Sequence, residues 1–263
     1  MKIATFNING IKARIEALPR WLAEAAPDVV CLQEIKSQDE GFPAAMFRDM
    51  GYHVETHGQK GFNGVALLSR LPLGQVVRGL PGDPEDVQAR WIEATVTGTR
   101  PDARPVRVCG LYLPNGNPAP GPKYDYKLAW MARMLVRVQV LLAGEMPLVI
   151  AGDYNVIPEA MDAARPGAWV TDALFLPETR AAYRRMVHLG LTDAFRVREP
   201  GAGHYSFWDY QAGAWERNNG IRIDHLLLSP QAADLLCEAR IDKAVRGGDK
   251  PSDHVPVWVM LDA

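Results

Sequence analysis

The sequence has no run of about 18 consecutive apolar residues, the length a helix needs to cross a bilayer. Nor does it open on a charged leader, an apolar segment and a small-residue cleavage site; Met1-Lys2-Ile3-Ala4-Thr5-Phe6-Asn7 runs directly into strand-like residues. These absences predict a cytoplasmic protein with no membrane partner. Cysteine is scarce: Cys31, Cys109 and Cys237 are odd in number, and no Cys/His spacing suggests zinc. The first two fall in apolar strand-like runs and the third in a helix-like stretch, so buried reduced thiols are expected. An excess of positive charge is also missing, since 29 Lys+Arg face 31 Asp+Glu for a net −2. A polyanion ligand would therefore have to be met by local positive charge or by a metal. No Gly/Ser linker, low-complexity tract or short repeat divides the 263 residues, so 1–263 reads as a single domain.

Short apolar runs alternate with amphipathic segments. Strands are predicted at Ile3–Asn7, Asp28–Glu34, Tyr52–His57, Val65–Ser69, Trp91–Thr97, Val106–Leu113, Pro147–Ala151, Tyr205–Tyr210, Arg222–Leu228 and Val255–Leu261. Helices are predicted at Ile11–Ala26, interrupted by Pro19, and at Pro43–Met50, Tyr126–Ala143 and Glu178–Leu189. In the third of these, Leu128, Met131, Leu135, Val138 and Leu142 recur at helical spacing and trace one stripe for the core. Many strands, some adjacent and some separated by helices, point to an α/β protein of two packed sheets with helices outside.

Polar residues with chemical potential sit where apolar strands end, the places where a rigid scaffold holds side chains beside an open face. Asp153 and Asn155 follow the apolar run Leu148–Ala151 and can face one side; an Asx-turn that simply caps the strand is the plainer reading. Glu34 ends Val29–Leu32 and offers a hard oxygen ligand for Mg²⁺, against the plainer reading of a surface salt bridge with Lys36. Asn7 and Asn9 alternate at the end of the first strand, and Tyr112 stands before the Pro114-Asn115-Gly116 turn. Asp224 lies in a strand too apolar to leave a carboxylate unpaired, so it needs a partner, and His254 is the best candidate. Such a contact would fix the imidazole tautomer and raise its pKa. His225, next to Asp224, should point the opposite way and be structural, and for the same reason Asp253 and His254 should diverge rather than form a dyad.

Read in order, Phe6-Asn7-Ile8-Asn9-Gly10, Leu32-Gln33-Glu34-Ile35-Lys36, Gly110-Leu111-Tyr112-Leu113-Pro114-Asn115-Gly116, Gly152-Asp153-Tyr154-Asn155-Val156, Arg222-Ile223-Asp224 and Ser252-Asp253-His254 resemble the motifs of the exonuclease III family. These are DNA-repair nucleases that cut at abasic sites, within the wider endonuclease/exonuclease/phosphatase superfamily. The resemblance spans residues 2–260 and implies a four-layer α-β-β-α sandwich. It implies Glu34 as principal Mg²⁺ ligand (with Mn²⁺ as a substitute), Asn9 nearby and Asp253 near the metal. It implies Asp153 as the residue that orients or deprotonates water, with Asn7 and Asn155 holding the arrangement. Tyr112 and His254 would contact the scissile phosphate, and Asp224 would be the partner of His254.

The same resemblance makes Phe207, Trp208, Ile221 and Ile223 candidates for a pocket that takes a flipped abasic sugar, with ordinary core packing as the plainer use of Phe207 and Trp208. Asn115 joins the substrate-binding set, and Lys36, Lys123, Lys127, Arg217 and Arg222 are candidates for backbone phosphates. Duplex DNA with abasic sites or blocked 3′ ends is then the expected partner, and the chain is expected to act as a monomer. Two alternatives stand beside this reading: a phosphohydrolase of the same superfamily acting on a lipid, inositol or RNA phosphoester, and a catalytically dead binding module on the same fold. The dead module should have lost Glu34, Asp153 or His254, and all three are present.

Overall fold

A computed structural model describes residues 1–99 and 102–263. Its strands are β1 (Lys2–Asn7), β2 (Val29–Gln33), β3 (His53–His57), β4 (Val65–Ser69), β5 (Leu73–Arg78), β6 (Trp91–Val96), β7 (Val106–Tyr112), β8 (Leu148–Asp153), β9 (Thr192–Asp193), β10 (Asp224–Leu228), β11 (Leu236–Ile241) and β12 (Val257–Leu261). They build two six-stranded mixed sheets, ordered β11-β12-β1-β2-β4-β3 and β5-β6-β7-β8-β10-β9.

Between the sheets lies a core that includes Ile3, Cys31, Leu67, Ile92, Val108, Ala151, Leu226 and Val259. On the outer face of the first sheet, Val30 and Leu32 pack with Trp21 and Leu22 of α1 (Ala17–Ala25) and Phe47 of α2 (Ala44–Asp49). On the outer face of the second, Cys109 and Ile150 meet Trp130 and Met134 of α3 (Pro122–Leu142) and Tyr183 and Met186 of α4 (Pro177–Val187). The result is the four-layer α-β-β-α sandwich. Central strands such as β2 are buried at every position, which is why they read as unbroken apolar runs rather than as alternation. No helix among the described residues is long and apolar enough to cross a membrane.

Several local expectations change. The first helix shrinks to Ala17–Ala25, after a separate 3₁₀ turn at Lys12–Arg14, so that Pro19 sits in a first turn where its missing N–H costs nothing. In α3 the deeply buried face runs through Tyr124, Lys127, Trp130, Met131, Met134 and Val138, while Leu128, Leu135 and Leu142 are half-buried. The larger Trp and Met side chains take the centre of the interface, and the leucines flank it. Cys237 is exposed and belongs to the edge strand β11 rather than to a helix. Edge strand β5 escapes sequence patterning because a bulge between Gly74 and Val77 interrupts its alternation. Tyr205–Tyr210 is no strand; Phe207 makes only isolated bridges, to Ile221 and His254.

Topology decides where the polar strand ends meet. Parallel β1 and β2 place Asn7 opposite Gln33, and parallel β7 and β8 place Tyr112 opposite Asp153. Antiparallel β10 begins with Asp224 opposite Asp153, and antiparallel β12 pairs Val257 with Thr5, which brings the preceding residues 253–254 alongside the end of β1. Six sequence-distant segments therefore end at one edge of the sandwich.

Candidate active site

One side chain bridges the two sheets at that edge. Asn7, fully buried, donates through Nδ2 to Glu34 Oε1 at 2.9 Å and to Asp153 Oδ2 at 2.9 Å. Its side-chain Oδ1 accepts from the Asn9 backbone N–H at 3.0 Å, so the amide orientation is set from both ends. Ser252 donates to the Asn7 backbone carbonyl at 2.7 Å and ties in the C-terminal loop. Asn9, Glu34, Lys36 and Asn155 all have left-handed backbones, with φ of 46°, 50°, 51° and 47°. Such conformations cost about 1 kcal/mol or more each for a residue with a side chain and recur where a site over-determines its geometry.

Asp253 and His254 diverge as adjacent extended residues should. Asp253 accepts from Asn9 Nδ2 at 3.0 Å, whereas His254 Nδ1 lies 2.8 Å from Asp224 Oδ2. The other imidazole nitrogen, Nε2, is 3.7 Å from Asp153 Oδ2. Burial works against the His254 imidazolium, yet Asp224 and then Asp153 outweigh it and raise the ring to about 10. Burial also pushes the Asp153 carboxyl up, to about 7, against the pull of His254, with Asp224 adding to the rise. Asp224 is held in turn by Ser206, whose hydroxyl donates to it at 2.6 Å and accepts from the Ile223 and Asp224 backbone N–H groups. Tyr112 is half-buried at the end of β7; burial, then Glu34 and Asp153, hold its phenol well above its usual range, so it stays a neutral donor.

Glu34 resists the general effect of burial. Desolvation would raise it, but the hydrogen bond from Asn7 and the Lys36 ammonium 3.0 Å away leave it below the ordinary carboxylate range. Ionised Glu34, the partly exposed Asp253 and Asn9 form an oxygen-rich donor set suited to a hard cation: Asn9 Nδ2 donates to Asp253, and its Oδ1 accepts from the same Lys36 ammonium that pairs with Glu34. The tighter cluster of Asp153, Asp224 and His254 brings potential ligand atoms within 4.8 Å of one another, but it is a poor cage. An imidazolium with one N–H on Asp224 has no lone pair left for a metal.

Asn155 turns back on Asp153: its backbone N–H donates to Asp153 Oδ1 at 2.9 Å, and its Nδ2 donates to the Leu113 carbonyl at 2.9 Å. Asn115 is exposed beside it and donates to Asn155 Oδ1 at 3.2 Å. Lys123 is exposed in the first turn of α3. Phe207 is half-buried, its ring centroid 4.9 Å from that of His254, and with Ile221 and Trp169 it lines a cavity of about 260 Å³.

Four assignments are corrected. Trp208 is fully buried against Tyr205 and Val255, with its indole N–H on Asn218, and braces the loop from behind. Ile223 packs with Ile157 and Leu174 at the back of Ile221 and is not among the residues lining the cavity. Arg222 is 1% exposed and spends its guanidinium on Asp162 at 2.7 Å and Asp193 at 2.8 Å, so no phosphate can reach it. Lys127 is also fully buried, on backbone carbonyls. A basic residue in a motif loop looks the same in sequence whether it faces solvent or an internal acid. His225, by contrast, is structural as expected: it is buried, with Nε2 3.0 Å from the Val156 carbonyl and Nδ1 3.0 Å from Arg222. Sequence reasoning did not single out Ser206 or Trp169, because the role of each depends on the distant segment it faces: Asp224 for the first and the cavity wall at Phe207 and Ile221 for the second.

Comparison with known proteins agrees with this fold. Residues 4–254 match the profile of the endonuclease/exonuclease/phosphatase family. The chain is 37% identical to exodeoxyribonuclease III of Haemophilus influenzae over 266 residues, covering 98% of each protein. Among solved structures it is similar to an AP endonuclease from Archaeoglobus fulgidus, with a TM-score of 0.94, 36% identity and full coverage of both chains. A 3′-5′ exonuclease from Neisseria meningitidis superimposes with a TM-score of 0.95 at 37% identity, again with full coverage of both. Sheet order, converging strand ends and full-length similarity lead to one conclusion: this chain belongs to the endonuclease/exonuclease/phosphatase family.

Proposed function

We propose that the chain is a DNA-repair nuclease that hydrolyses phosphodiesters 5′ to abasic sites and at 3′ ends of duplex DNA, with Mg²⁺, or Mn²⁺ in its place, held at Glu34 with Asn9 and Asp253 nearby. The observation that carries this reading is the Asn7 amide, which sets an ionised Glu34 and an elevated Asp153 on either side of one nitrogen. That arrangement puts a cation ligand and a proton acceptor on opposite flanks of a single reacting group.

Asp153 accepts the proton of the attacking water at Oδ2 as the water oxygen bonds to phosphorus. Its raised proton affinity suits a general base working near neutral pH. His254 presents Nε2–H, and Tyr112 a neutral phenol, toward the phosphoryl oxygens on which charge grows, and Asn7 keeps both carboxylates in register. Asp224 fixes the His254 ring through Nδ1 and leaves Nε2 free for this task. A divalent ion held by Glu34, Asn9 and Asp253 would supply Lewis-acid neutralisation of the negative charge that grows in the transition state. The P–O bond to the 3′ oxygen breaks as the water oxygen bonds, and that oxygen takes a proton from solvent, which leaves a 3′ hydroxyl on the DNA.

Lesion choice falls to the cavity beside His254. Its walls at Phe207, Ile221 and Trp169 suit a base-free sugar, and a damaged nucleotide is cheaper to extrude than a paired one. Exposed Lys123 and Arg217 supply cations for backbone phosphates against a near-neutral total charge, whereas the Lys36 ammonium is already bonded to Glu34 and Asn9. A DNA substrate and free thiols at Cys31, Cys109 and Cys237 support a cytoplasmic location, and the chain is read as a monomer. The whole chain is read as one catalytic domain. With Mg²⁺, purified protein is expected to nick a duplex oligonucleotide carrying one abasic analogue, on the damaged strand only, and EDTA is expected to stop it. Intact abasic duplex alongside turnover of a phosphoinositide would sink the assignment.

A further inference from the structure

α3 carries one residue that its packing does not call for. Lys127 lies on the buried face between Tyr124 and Trp130 and is 0% exposed. Leu or Met there would bury the same stem without the cost of desolvating an ammonium. Among the described residues no carboxylate lies at ion-pairing distance from it. Its Nζ instead donates to two backbone carbonyls, Asn155 O at 2.6 Å and Asn115 O at 3.0 Å. Burial lowers the ammonium to about 7, with the more distant Asp153 and Asp172 pulling it back upward.

The two carbonyls belong to the two turns that frame the proposed base. Asn155 bonds Asp153 through its backbone N–H and receives Asn115 Nδ2 on its side-chain oxygen. The left-handed backbone of Asn155, at φ 47°, lets one residue turn its carbonyl to Lys127 while its N–H meets Asp153. The Asn115 turn is shaped around the same stem: Gly116 has φ +90°, and a Cβ there would stand 2.7 Å from Lys127 Cδ.

We infer that Lys127 is a positioning residue for the hydrolytic step, locking the Asn155 and Asn115 turns together from beneath and so holding Asp153 in its working orientation. It touches neither substrate nor metal, and it acts through Asn155. The inference rests on the nuclease reading above, so wild-type cleavage of the abasic duplex is measured first; an inactive wild type would fail that reading and not this one.

With an active wild type, Lys127→Met is expected to lower the single-turnover cleavage rate at saturating enzyme by about 100-fold. The half-saturating enzyme concentration is expected to stay within about twofold. Combining Lys127→Met with Asp153→Asn is expected to cost no more rate than Asp153→Asn alone, because Lys127 acts by orienting the Asp153 carboxylate through the Asn155 backbone. Lys127→Gln keeps an amide NH₂ as donor without the charge and is expected to fall between wild type and Lys127→Met. A rate within about twofold of wild type in folded Lys127→Met, or losses that multiply in the double variant, overturns the inference. If neither single variant folds by circular dichroism, Lys127 is a fold residue only, and the inference fails as well.

Discussion

Asp153 and His225 are both buried titratable side chains, and their surroundings set them to different tasks. Around Asp153, burial lifts the carboxyl to about 7 while His254 and Asn7 keep its oxygens aimed at the open edge. Asp153→Asn keeps the shape and removes the proton acceptor, so cleavage is expected to fall by about 10²–10⁴-fold. Binding of the abasic duplex, read by fluorescence anisotropy, should persist; full activity would eliminate Asp153 as the base. His225 is pushed down to about 4 by burial and then by Arg222, against Asp193. Between the ordinary histidine value near 6.5 and about 4, the unfolded chain takes up a proton that the native ring refuses. Stability is therefore complete above that window and falls as pH drops through it, by up to about 3 kcal/mol from this group. His225→Gln should flatten the loss between pH 6.5 and 4.5 in urea unfolding, and equal slopes would refute the assignment. Asp224 was legible in the sequence because a carboxylate in so apolar a run demanded a partner. Arg222 was not, because its acids, Asp162 and Asp193, come from segments 60 and 29 residues away.

At the scale of elements, the strands that are buried on both faces announce themselves, and those at edges do not. Val65–Ser69 is found where its apolar run places it, while β5 and β11, each with a register shift, were missed or misread. Helix α3 shows the limit of a 3.6-residue stripe: the periodicity located the helix, but which face goes deepest was decided by Trp130, Met134 and the carbonyls around Lys127. The turn between β7 and α3 depends on Gly116 for both its positive φ and its clearance of Lys127. Gly116→Ala is expected to cost about 1–3 kcal/mol in chemical denaturation. It should also slow cleavage, since the Asn115 carbonyl must move; a neutral substitution would show the turn to be slack.

For the whole molecule, the proposed mechanism makes the distance between sheets a catalytic parameter, because Glu34 follows a strand of one sheet and Asp153 ends a strand of the other. The sheets approach closely at Gly110, where a Cβ would lie 3.2 Å from Cys31 Cβ and 3.4 Å from its sulfur. Gly110→Val is expected to lose about 1–3 kcal/mol by overpacking. It should also lower cleavage more than DNA affinity, by parting the two halves of the site; unchanged cleavage in folded protein would show that sheet spacing does not matter. The sequence by itself determined the sandwich class, the ends of the central strands and the polar residues standing there. These depend on local periodicity and on the cost of burying carboxylates, which any single stretch of chain expresses. Tertiary structure alone decided that Asn7 joins Glu34 to Asp153, that Trp208, Ile223, Arg222 and Lys127 turn inward, and that Trp169 reaches the cavity. Those outcomes depend on which distant segment supplies the facing atom, and strand order across two sheets, not spacing along the chain, chooses that partner.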